Sequence, residues 1–89
     1  MPLKVMMFKD KRNMRKSDDR VAANVDIFCG KDQIGGGRTA GPTQDMNDVL
    51  EFMVEKNKVY TLNYFDKNGQ WVGEEVNVKE KPVEVKLHL

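Results

Sequence analysis

The 89-residue chain contains one cysteine, one histidine and one serine. A lone Cys29 excludes an internal disulfide and leaves no cysteine set for a zinc site. Ser17 lies in a charged run and His88 lies beside the last residue, so a Ser–His–acid or Cys–His arrangement has to join distant parts of the chain. The carboxylates Asp45, Asp48, Glu51, Glu55, Glu74 and Glu75 sit in polar surroundings, without the apolar context that marks an acid/base pair. Asp66-Lys67-Asn68-Gly69 lacks the further ligands of a calcium loop. We therefore expect no catalytic residue, no metal and no cofactor. No apolar run approaches the ~20 residues of a membrane-spanning helix. The opening "MPLKVMMFKDK" places its apolar part before its basic part and has no small-residue cleavage site, unlike a signal peptide. The expectation is a complete small gene product of the cytoplasm, without membrane attachment. A net charge of +1 gives no global attraction to nucleic acid.

What remains is the composition of one ordinary domain over residues 1–89, with 39% hydrophobic and 33% charged residues and no internal repeat. Leu3, Val5 and Met7 alternate with Met6 and Phe8, which predicts a strand covered on both faces. Residues 9–20 carry six basic and three acidic residues and one apolar Met14, the pattern of an exposed mobile loop. Val21, Ala23, Val25, Ile27 and Cys29 then alternate as a second strand, with Cys29 on the core face. A glycine-rich loop is expected over 30–43. Met46, Val49, Leu50, Met53 and Val54 stand at helical spacing, with Thr43 or Asp45 as N-cap, Asp48 in the first turn and Asn57 as a left-handed stop.

A hairpin follows, turning at Asp66-Lys67-Asn68-Gly69. Two registers are open to it. A two-residue turn pairs Phe65 with Val72, and a longer turn with a glycine bulge pairs Tyr64 with Val72 and Tyr60 with Val76. Pro82 begins a last strand of alternating Val83, Val85, Leu87 and Leu89. The order β-β-α-β-β-β predicts an α+β two-layer domain, one helix on a mixed or antiparallel sheet. That order resembles the β-grasp arrangement of ubiquitin-like domains, although the chain ends in Leu-His-Leu and not in a Gly-Gly tail. A small open β-barrel is the alternative.

Four features bear on function. Gly36 to Thr43 nearly matches the phosphate-binding pattern G-x-x-x-x-G-K-[ST], but Pro42 stands where the lysine is needed. The stretch reads instead as a connector, or as a tongue that orders on a partner. The basic run Lys9, Lys11, Arg12, Arg15 and Lys16, together with Arg38, offers cations for phosphate or for an acidic protein surface. Tyr60, Tyr64 and Trp71, grouped on one hairpin face with Phe65 on the other, are core candidates in a small domain that must bury its largest side chains, and where exposed they offer stacking or anchoring area. The final strand, if it lies at a sheet edge, offers pairing to a second copy and hence a homodimer. These features point to a non-enzymatic protein-interaction or regulatory module that occupies a partner surface, a build that suits an accessory protein of a phage or other mobile element. The alternative is a single-stranded nucleic-acid-binding protein using the basic loop and the hairpin aromatics.

Overall fold

The computed structural model describes all 89 residues. It is built from strands β1 (Pro2–Phe8), β2 (Asn24–Cys29), β3 (Asp32–Arg38), β4 (Leu50–Met53), β5 (Lys58–Phe65), β6 (Trp71–Val78) and β7 (Val83–His88). Two single 3₁₀ turns, Ser17–Asp19 and Met46–Asp48, are its only helical residues. The strands form a three-stranded sheet in the order β4-β1-β7 and a four-stranded sheet in the order β3-β2-β5-β6. Every pairing is antiparallel except β1 with β7, which is parallel. The expected α+β class, with its β-grasp-like order, is thus replaced by an all-β pair of sheets. The barrel alternative fails too, because no ladder joins the two sheets.

The predicted helix is a 3₁₀ turn followed by β4. Its stripe of five residues satisfies helical spacing, but Leu50, Phe52 and Val54 also alternate, and the strand reading prevails. Antiparallel pairing sets Leu50 opposite Val5 and Phe52 opposite Leu3, so both side chains enter the core from the three-stranded sheet. A helix would have buried Met46 and Met53, which are 54% and 72% exposed. A segment of about ten residues has little helical stability of its own, so a ladder and a buried face outweigh its periodicity. Asp45 does cap a turn, accepting the Asn47 N–H, but that turn is not continued. Asn57 is left-handed with φ of 61°, in the turn between β4 and β5.

The predicted glycine loop holds β3. Gly30, with φ of 61°, makes the tight turn from β2, and β3 then returns along β2. A side chain on Gly37 would place its Cβ 2.5 Å from Leu50 Cδ1, and one on Gly35 would lie 3.3 Å from Ile27 and 3.5 Å from Phe52. These two glycines let side chains of the opposite sheet approach the backbone of β3. Thr39 and Ala40, just beyond, are buried, and the Thr39 hydroxyl donates to the carbonyl of Val21 and accepts from the N–H of Ala23. The glycine run is therefore a packed structural strand.

The core lies between the sheets. Leu3, Val5, Met7 and Leu87 from one sheet meet Val25, Ile27, Tyr60, Leu62, Tyr64, Val76 and Val78 from the other. A second cluster lies outside the three-stranded sheet, where Met6 and Phe8 are covered by Ala40, Val49 and Met14. Strand β1 is accordingly buried on both faces, as its composition predicts. The β5–β6 hairpin takes the longer register, Tyr64 opposite Val72 and Tyr60 opposite Val76. The Asp66 carboxylate accepts from the N–H groups of Asn68 and Gln70, and Gly69 takes φ of 75°.

Candidate functional site

The hairpin register decides which aromatics are free. Tyr60 and Tyr64 point inward and are 3% and 4% exposed. Each phenol finds a partner, as buried tyrosines do. The Tyr60 hydroxyl accepts the Glu55 N–H at 2.9 Å, and the Tyr64 hydroxyl donates to the carbonyl of His88 at 3.1 Å. Desolvation raises the Tyr64 phenol above its ordinary value, helped by the negative charges of Glu74 and Asp66. The expectation that these tyrosines join Trp71 on one face is therefore corrected. Trp71 pairs with Phe65 on the outer face of the four-stranded sheet. Their ring centroids lie 4.5 Å apart at 58°, and the two residues are 51% and 60% exposed.

Cross-strand partners set the rows of this outer face. Arg38 stands beside Asn24, and Gly36, Asp26, Asn63 and Gly73 form one line across all four strands. Gln33, Phe28, Thr61 and Glu75 form the next. The glycines at both ends of the first line leave it low, and an open groove runs between Asp26, Gly36 and Arg38 on one side and Phe65 and Trp71 on the other. Arg38 Nη1 donates to Asn24 Oδ1 at 3.3 Å. No carboxylate pairs with Arg38, since the molecule's single ion pair joins Lys58 to Glu55. Asn63 Oδ1 is buried in the middle of the line with no hydrogen-bond donor against it. The groove thus combines aromatic area, a guanidinium without an ion-pair partner and a flat polar floor.

The basic loop lies elsewhere. It leaves the end of β1 and returns to it, with the Lys9 N–H donating to the Asp19 carbonyl and Arg20 bridging to Phe8. Its aspartates organise its backbone. Asp10 accepts from the N–H groups of Arg12 and Asn13, and Asp19 accepts from that of Lys16. Lys9, Lys11, Arg12, Arg15 and Lys16 are all exposed. Arg15 and Lys16 share a recess with Met6, Phe8 and Lys86, on the outside of the three-stranded sheet. The nine residues singled out in the sequence therefore fall into three places: five cations on the loop after β1, of which Arg15 and Lys16 reach the recess outside the three-stranded sheet, Arg38 and Trp71 outside the other sheet, and two tyrosines between the sheets. Strand β7 does stand at a sheet edge, with Val85 directed to the core and Glu84 and Lys86 exposed.

Sequence reasoning missed Asp26, Asn63, Gly36 and the buried Arg20. The one available signal was Gly73 within the alternation of β6, which marks backbone left open on a sheet face; Gly36, in a run of three glycines, gave none.

No family model, curated protein or solved structure matches this chain.

Proposed function

We propose that the protein is a small non-enzymatic interaction module that holds a protein partner on the outer face of its four-stranded sheet. The observation that carries this reading is the exposed Phe65–Trp71 pair beside a groove floored by glycine. A small domain has few large side chains, and leaving about half of each of these two in water forgoes part of the roughly 1.5–3 kcal/mol that full burial contributes. Paired aromatics with an adjacent arginine are the residue types that dominate interface energetics. The partner we infer presents an apolar side chain to the groove and a carboxylate to Arg38. The nucleic-acid alternative loses support, because Arg15 and Lys16 of the basic loop lie outside the other sheet from the exposed aromatics and two of its three aromatics are buried.

Capture from a nuclease-treated lysate of the source cells, followed by reconstitution from purified components, tests the reading. Trp71→Ala is expected to raise Kd by about 30-fold, the effect of a central anchor, with Tm nearly unchanged. A complex indifferent to both Trp71→Ala and Phe65→Ala, or one that nuclease abolishes, overturns it.

A further inference from the structure

The recess on the opposite side contains an unusual charge. Arg20 is only 4% exposed, yet no carboxylate pairs with it. Its Nη2 donates to the Gln44 carbonyl at 2.6 Å, its Nη1 reaches the Met46 Sδ at 3.6 Å, and its Nε is buried without a partner. A buried cation normally acquires an anion, because desolvation is costly and a neutral carbonyl offsets only part of it. The thioether is a weak acceptor. Met46 is also 54% exposed, so it covers Arg20 from the rim and can swing away without opening the core.

The surroundings favour an anion. Arg15, Lys16 and Lys86 line the recess with Arg20, against the single carboxylate of Glu84. Met6 and Phe8 supply an apolar wall. The space, about 360 Å³, falls at the small end of ligand pockets and exceeds what a bare oxyanion fills. Four cations around one acid suit a dianion better than a carboxylate, and the guanidinium fork matches phosphate geometry. We infer that this recess binds a phosphate group, free or carried by a small molecule, which displaces the Met46 thioether from Arg20 and is held between Arg20 and the lysines. An organic part would lie against the exposed Met46 side chain at the rim of the recess.

Methyl NMR of the methionines reads the event directly, with Met46 as reporter and the buried Met7 as internal control. Inorganic phosphate and phenyl phosphate are each expected to shift the Met46 methyl and the Arg20 Nε–H resonance saturably. Tighter binding of phenyl phosphate assigns the recess to a phosphorylated small molecule, and equal binding assigns it to free phosphate. Arg20→Gln disturbs packing as well as charge. The double variant Lys16→Ala, Lys86→Ala, at two exposed positions, therefore carries the test, with an expected tenfold or so loss of affinity and unchanged Tm. Equal shifts from sodium chloride at matched ionic strength, equal binding of benzoate, a double variant that binds as tightly as the parent, or no saturable shift at all would overturn the proposal.

Discussion

The two outer faces of this protein solve the same problem in different ways. Outside the four-stranded sheet, the central line is Gly36, Asp26, Asn63 and Gly73, short or polar residues that need no cover. Outside the three-stranded sheet, Met6 and Phe8 are large and apolar, and segments that belong to no strand fold over them. The first face keeps Phe65 and Trp71 at the hairpin end, about half exposed, with Phe28 half-buried in its next row. The second hides its aromatic and, in doing so, encloses Arg20. An open face offers area to a partner, whereas a covered face makes a recess. The difference follows from which positions of each strand carry bulk.

The sharpest way to break this comparison uses one residue type on both faces. Phe8 is 2% exposed and Phe65 is 60% exposed. Phe8→Ala should remove about 3–5 kcal/mol of stability in denaturant titration, since it empties the second cluster. Phe65→Ala should cost less than about 1 kcal/mol, because its ring meets Trp71 at the surface. Similar losses from the two variants would mean that the covered face is no second core.

Strand β3 allows the same contrast within two neighbouring residues. Gly37 faces the core, and a new Cβ would lie 2.5 Å from Leu50 Cδ1. Gly36 faces the groove, where a new Cβ would meet the Asp26 Oδ1 at 2.7 Å, the free end of a side chain that can rotate. Gly37→Ala should cost about 1–3 kcal/mol through overpacking. Gly36→Ala should change stability by less than about 1 kcal/mol, as strain on Asp26 is offset by the lower chain entropy of alanine. It should weaken partner binding, because it raises the groove floor. A Gly36→Ala variant that binds as well as the parent would move the partner off this line.

The same glycines show what could be read from the sequence and what could not. Strands β1, β2, β5, β6 and β7 were legible because each carries its own alternation and the turn at Asp66–Gly69 marks itself by residue type. Strand β3 was not, because Gly35 and Gly37 are explained only by Leu50 and Phe52, which arrive from the other sheet. Strand β4 was misread because Leu50 and Val54 satisfy helical and alternating spacing together, and only the ladder to β1 chooses between them. Trp71 and Arg38 were singled out as candidate partner-binding residues together with the basic loop, but their separation from that loop depends on sheet order, which has no local signal. Arg20 was hidden among six similar charges.

A single hydrogen bond between the two sheets allows a third comparison. Tyr64 lies on β5, and its hydroxyl donates to the His88 carbonyl at the end of β7. Tyr64→Phe keeps the ring and should cost about 1 kcal/mol at neutral pH. The alkaline limb separates this bond from simple packing. Burial first, then Glu74 and Asp66, raises the folded-state phenol above the ordinary 10.0. Below that ordinary value the phenol is protonated in both states, and its contribution is complete. Above it the unfolded chain releases the proton first, so stability falls as pH rises through the folded value. Denaturant midpoints measured from about pH 9 to about pH 11 should therefore drop more steeply for the parent than for Tyr64→Phe, the two curves converging at the alkaline end. Parallel curves would show that the phenol titrates alike in both states, and the bond between the sheets would then contribute packing alone.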